Sequence, residues 1–197
     1  PHNVIEIPAS LVNTTYFYHV TCIMANIANI LNKKDDENEL RILARTIKRN
    51  FNIAFYNEVT HHYWEGKQGA DVFALAFGLV PESDRKKVFA ALLEHLEKIN
   101  YHFDTGILAT PLLLKVLTEN GRADLAYRVM NQRDFPSYGY LADKKNNTLW
   151  ETWNGDGNDE GCGHCHPMFG SVVAWFYNSL AGIKPDLSNP GMKHFYV

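Results

Sequence analysis

Apolar side chains recur every three or four residues through most of this chain, and that period predicts helices. Across residues 10–31 the stripe is Val12, Tyr16, Val20, Ile23, Ile27 and Ile30. A polar turn at 33–36 leads to a second helix over 36–55, with Leu40, Ile42, Leu43, Ile47 and Phe51 on its expected buried side. Its acidic start and its later Arg45, Lys48 and Arg49 suit the helix dipole. Residues 57–67, with His61, His62, Tyr63 and Trp64, read as a polar loop carrying an aromatic plug, or as one wall of a cleft. A third helix, 68–77, is apolar all round (Val72, Phe73, Leu75, Phe77) and is therefore expected to be buried all round. Gly78 ends it.

A fourth helix, 82–99, follows Pro81 with Val88, Leu92, Leu93 and Leu96 inward. A fifth, 106–118, must hold Pro111 in its first turn or kink there. Gly121 breaks it, and a sixth runs over 122–132 with Leu125, Ala126 and Val129 inward. Residues 133–164 then lose the period and become rich in Tyr, Trp, Gly, Asn and Asp. A loop of that length and aromatic content points to function. A seventh helix starts at Pro167, with His166 near its N-cap, carries Phe169, Val172, Val173, Phe176 and Leu180, and stops at Gly182. The tail ends in a short strand. The pattern is all-α: about seven helices in antiparallel hairpins, without an internal domain boundary across 1–197, fitting a bundle or part of an α/α toroid.

Composition changes this picture little. Hydrophobic residues at 46% and charged residues at 21% are ordinary for a globular chain, and aromatics at 13% mildly favour flat or carbohydrate ligands. A net charge of −3 without a basic stripe argues against nucleic acid, and no apolar run approaches a membrane span. Three cysteines (Cys22, Cys162, Cys165) are too few for a disulfide scaffold.

The chemistry concentrates at 148–156 and 166–170. Glu151 stands between Trp150 and Trp153, and His166 opens the last helix. Indole faces stack on pyranose rings, and a carboxylate beside them can take a proton from water. The plainer reading is a rim glutamate next to two packing tryptophans. Cys162, Cys165 and His166 also match C-x-x-C-H, the c-type haem attachment pattern. The long aromatic loop would be unexplained by haem. A zinc set of Cys162, His164, Cys165 and His166 within five residues would be strained, because structural zinc draws ligand pairs from separated segments. No metal and no cofactor is expected here.

In order along the chain, several segments together resemble one family. They are 11–19 (LVNTTYFYH), 68–81 (QGADVFALAFGLVP), 105–110 (TGILAT), 119–127 (ENGRADLAY), 135–140 (FPSYGY), 148–153 (TLWETW), 166–177 (HPMFGSVVAWFY) and 190–195 (PGMKHF). Their order is similar to that in the α-L-rhamnosidases of glycoside hydrolase family 78. The resemblance implies a fragment of an (α/α)6 six-hairpin barrel, its C-terminal half. It implies inverting hydrolysis of terminal α-L-rhamnose from a glycoside or polysaccharide, with Glu151 as the general base. It further implies that His166 contacts the sugar; Trp150 and Trp153 are expected beside it as substrate-binding residues on the indole-stacking argument above. The family's general acid lies in an upstream Asp/Glu-Arg-rich segment with no counterpart among these residues, so the isolated chain is expected to be inactive. Cys165 stands where the family usually has Asn, and 154–165 carries extra acids and cysteines. A cut barrel would expose apolar faces and could self-associate through them. The alternative of another class is a non-catalytic helical module that binds carbohydrate or a partner.

Overall fold

Two 22-residue helices open the chain, α1 (Ala9–Ile30) and α2 (Lys34–Phe55), and pack as a hairpin. The computed structural model describes residues 7–144, 148–154, 163–186, 189 and 191–197, except the Met168 side chain. Between α1 and α2 the backbone turns through Asn32 at φ 55°, a left-handed conformation that asparagine tolerates. The Lys33 N–H then reaches back to the Ala28 carbonyl at 2.8 Å, closing the helix end.

Contacts divide the chain into two units, 1–97 and 98–197. In the first, the buried face of α1 is small: Thr15, Thr21, Ala25 and Ala28 follow Leu11. The two threonine hydroxyls turn back onto the Val12 and Phe17 carbonyls at 2.7 Å, so burial leaves neither unsatisfied. Of the larger stripe read from the sequence, Val12 and Tyr16 are half-buried, Tyr16 edge-on to Phe73 and Phe77, while Val20, Ile23, Ile27 and Ile30 are exposed. On α2 the buried line is Ala44, Ile47 and Phe51, while Ile42 and Leu43, expected inside, are exposed.

The connection after α2 is more ordered than a plain loop. Tyr56–Asn57 (β1) pairs antiparallel with His62–Tyr63 (β2). Tyr63 is fully buried, with its ring 5.4 Å from Phe51 and 5.1 Å from Tyr56, and its hydroxyl donates to Asn52 Oδ1 at 2.6 Å. Helix α3 (Gln68–Ala76) is buried from Gln68 to Leu75, as its composition requires. Its one carboxylate, Asp71, accepts from the Tyr63 N–H at 2.7 Å and pairs with His62 Nδ1 at 2.6 Å. Helix α4 (Arg85–Lys98) buries Val88, Ala91, Leu92 and Leu96, with Leu93 only partly covered.

In the second unit, α5 (Thr110–Glu119) holds Pro111 in its first turn, where no intrahelical N–H is needed. Gly121, at φ +79°, turns the chain into α6 (Ala123–Met130). The pair buries Leu113, Leu114, Val116 and Leu117 with Leu125, Ala126 and Val129. A short helix absent from the periodicity follows, α7 (Tyr138–Asp143), capped by buried Ser137, whose hydroxyl accepts from the Tyr140 N–H at 3.0 Å. Gly139 is required there, because a Cβ would come within 2.4 Å of the Gln132 carbonyl oxygen.

The expected seventh helix is broken into α8 (Pro167–Gly170), α9 (Val173–Trp175) and a π-helical turn, Phe176–Leu180. Gly170 is a poor helix former, and the Phe169 carbonyl is shared between the Val172 N–H and the Tyr138 hydroxyl. The tail forms a small hairpin, Lys184–Pro185 (β3) with Phe195–Tyr196 (β4). Among the described residues no helix is long and apolar enough to cross a membrane.

Candidate active site

Glu151 and His166 belong to two segments that pair with each other in the second unit. The Glu151 N–H donates to the Gly163 carbonyl at 2.9 Å, and the His166 N–H donates to the Leu149 carbonyl at 2.8 Å. The Thr148 hydroxyl bonds the His164 carbonyl between them. The two stretches, 148–151 and 163–166, therefore run antiparallel, and residue 150 lies opposite residue 164. Their side chains meet as a cross-strand aromatic pair: the Trp150 indole and the His164 imidazole stack at 4.4 Å and 16°.

The same pairing fixes the carboxylate. Glu151 Oε2 accepts the Gly163 N–H at 2.9 Å, so side chain and main chain of Glu151 both bond one residue. An acceptor held by a backbone amide keeps its direction without a mobile partner. Glu151 is partly exposed, as a group that meets solvent or ligand has to be.

Trp153 is placed differently from Trp150. Its ring lies 5.0 Å from Phe103 at 15°, 4.4 Å from Phe169 at 46°, and 5.2 Å from Tyr138 edge-on at 88°. Its Nε1–H donates to the Thr105 carbonyl at 2.8 Å. Phe103 and Phe169 are buried, and burial pushes the Tyr138 phenol well above its usual range while its hydroxyl donates to the Phe169 carbonyl at 2.9 Å. The connection that carries Phe103 and Thr105 is itself tied down. His102 Nε2 meets Asp134 at 2.9 Å, Gln132 Nε2 donates to the Asn100 carbonyl at 3.0 Å, and Arg128 lies 3.6 Å from the Tyr101 ring centre.

Of the residues expected at the site, Glu151, Trp150, Trp153 and His166 thus share one loop system. Phe103, Thr105, Tyr138, Gly163 and Phe169 complete it and were not singled out as site residues by the sequence, and His164 was weighed there only as a zinc ligand. Three of them lay inside segments already conspicuous for their order: Thr105 in TGILAT, Tyr138 in FPSYGY and Phe169 in HPMFG supply the Trp153 cage together with Phe103. Cys162, and with it the C-x-x-C-H pattern, lies outside the described residues, as does most of the acid-rich loop at 155–162. Cys165 is exposed and unpaired by disulfide. In the first unit His62 serves Asp71, which gives that histidine an internal role.

A model of the bacterial α-L-rhamnosidase six-hairpin glycosidase domain matches residues 6–180. The chain belongs to this family. Its all-α fold is that of an α/α toroid fragment. An α-L-rhamnosidase of Streptomyces avermitilis is 36% identical over 191 residues, covering 91% of this chain and 18% of that protein. Among solved structures, the S. avermitilis α-L-rhamnosidase complexed with L-rhamnose superposes with a TM-score of 0.84 at 36% identity, over 91% of this chain and 18% of that one. The α-L-rhamnosidase of Dictyoglumus thermophilum gives 0.82 at 38%, over 86% and 19%. The chain spans about a fifth of the length of the curated α-L-rhamnosidases it matches.

Proposed function

We propose that these residues form the C-terminal part of the catalytic domain of an inverting α-L-rhamnosidase, with Glu151 as its general base. Both units belong to that one six-hairpin domain, whose match spans them. The substrate is a glycoside or polysaccharide bearing terminal α-L-rhamnose. The observation that carries the reading is the anchored carboxylate: Gly163 N–H occupies Oε2 at 2.9 Å, and the other oxygen takes the proton from the attacking water. A base must point one way while bond making proceeds on the face of the sugar opposite the leaving group. Inversion needs a carboxylic acid on the other side, about 6.5–9.5 Å away, leaving room for that water. Such an acid comes from elsewhere in the full-length protein.

His166 holds the sugar, and Trp150 offers ring surface beside the base. Trp153 stands behind them, with its N–H and much of its ring already engaged. The test is Glu151→Gln in the full-length enzyme, assayed on an aryl α-L-rhamnoside. The amide keeps size and can still meet the Gly163 N–H, but it cannot accept the proton. Turnover should fall about 10²–10⁴-fold with an unchanged melting temperature. Near-normal turnover removes Glu151 as the base. His166→Ala should raise KM more than it lowers kcat, because it deletes a contact and not the proton acceptor. The isolated chain should not hydrolyse rhamnosides. Turnover by the isolated chain that Glu151→Gln abolishes would show that no further segment is needed.

A further inference from the structure

We infer that Trp153 is a positioning residue, which aims Glu151 from behind through the main chain instead of offering its ring to the sugar. The inference builds on the reading of Glu151 as the base. Sugar stacking needs an open indole face. A ring centre 5.0 Å away and nearly parallel, Phe103, lies over the indole. Phe169, centred at 4.4 Å, is too near to be an in-plane neighbour and also covers ring surface. Tyr138 takes an edge, and the one polar atom, Nε1, is committed to the Thr105 carbonyl at 2.8 Å. The four rings also brace one another: Tyr138 meets Phe103 at 5.7 Å and Phe169 at 6.0 Å, both edge-to-face.

These contacts come from three separate segments: the 103–105 connection, α7 and α8. Trp153 therefore ties one end of the Glu151 stretch to the body of the second unit. The other tie is the pairing with Gly163. Only Thr152 lies between the anchored indole and the carboxylate-bearing residue. A shift of the indole is carried to the Glu151 backbone through that single residue. Misplacing a reacting group by about 1 Å costs on the order of 10²-fold in rate.

A positioning role and a sugar platform separate kinetically. In the full-length enzyme Trp153→Phe keeps an aromatic ring in the cage but removes the N–H to Thr105 and reduces the packed area. The expected result is a fall in kcat of about 10–100-fold with KM within about threefold, on protein whose circular dichroism matches the parent. A double-mutant cycle gives the second readout. Because Trp153 acts through Glu151, Trp153→Phe should add less than about twofold to the loss already caused by Glu151→Gln. A rise in KM with kcat intact overturns the inference in favour of a sugar contact. Full multiplicative effects in the cycle also overturn it, as does wild-type kcat. If Trp153→Phe does not fold, Tyr138→Phe weakens the same cage by one hydroxyl and is read in the same cycle. Near-normal turnover of Glu151→Gln would be a failure of the base assignment itself, and the single Trp153 variant keeps the two failures apart.

Discussion

The two units spend their aromatic side chains on different ends. In the first, Phe51 and Tyr56 pack against buried Tyr63, whose hydroxyl and own N–H bind Asn52 and Asp71. That cluster joins two helices and a tiny hairpin, and it serves stability. In the second, Phe103, Tyr138 and Phe169 close on the Trp153 indole, two residues from a carboxylate. Their product is the aim of one functional group. The difference is one of what is attached: a cluster shared by a helix and a two-stranded hairpin stiffens a core, and a cage built on a loop residue stiffens a site.

The sharpest way to break this comparison is to damage each cage and read stability and turnover together. Phe51→Ala empties a fully buried ring position in the first unit and should cost about 3–5 kcal/mol. The folded fraction should keep its kcat. Glu151→Gln in the second unit should do the reverse, with turnover lost and the unfolding midpoint unmoved. Chemical denaturation and single-turnover kinetics on the same preparations check both. Loss of kcat in folded Phe51→Ala would end the division of labour.

Asp71 gives the next largest effect. Asp71→Ala strands the buried Tyr63 N–H and removes the Asp71 bond of half-buried His62, at a cost of about 2–3 kcal/mol. Burial raises the Asp71 pKa, and its bonds to His62 and Tyr63 offset that only in part. The folded state therefore binds the proton more tightly than the unfolded chain does. The sign follows: this contribution is full below the ordinary carboxylate pKa of 3.8 and declines as pH rises through the raised value. Asp71→Asn abolishes the titration. Its stability relative to wild type should rise with pH across that window and level off above it. A difference that is flat, or that falls with pH, contradicts the assignment.

Legibility followed period and size. Helices α2, α3, α5 and α6 lie within a few residues of their expected bounds because apolar residues recur at the helical period along each, and Gly78 and Gly121 follow the ends of α3 and α5. What the period did not give was the side. On α1 it marked Val20, Ile23 and Ile27, but the buried residues are Leu11 and the smaller Thr15, Thr21, Ala25 and Ala28. Helix α7 was hidden because six residues in an aromatic, glycine-bearing stretch show no period. The break at Gly170 depends on a carbonyl shared with distant Tyr138, information no local window contains. At the site, Glu151 and His166 were candidates from the motif order, and the structure places both in one pair of adjoining segments. The Gly163 amide and the Trp150–His164 stack could not be read there, because pairing between 148–151 and 163–166 is a matter of chain path.

Tyr138→Phe sharpens the comparison at a lower energy. It removes one hydroxyl bond to the Phe169 carbonyl, at about 1 kcal/mol, and leaves the rings in place. The kinetic consequence should exceed the thermodynamic one, because the ring that loosens touches Trp153 directly. A melting-temperature change without any kcat change would assign the cage to stability alone, as in the first unit.

The smallest expected effect on folding lies on the outer face of α1. Phe17, Val20, Ile23, Met24, Ile27 and Ile30 form one broad apolar side and are all exposed. An exposed position contributes little to folding, so Val20→Lys with Ile27→Lys should change the stability of the isolated chain by less than about 0.5 kcal/mol per site. The same double change should reduce self-association, because contiguous apolar surface of this extent drives chains together. Sedimentation velocity of the two isolated proteins across a concentration series reads this directly. In the full-length enzyme the outcome should differ. If further hairpins of the domain cover α1 there, the two lysines are forced into an apolar contact and the unfolding midpoint drops by several degrees. Equal tolerance in both contexts would mean that the outer face of α1 meets solvent in the intact protein.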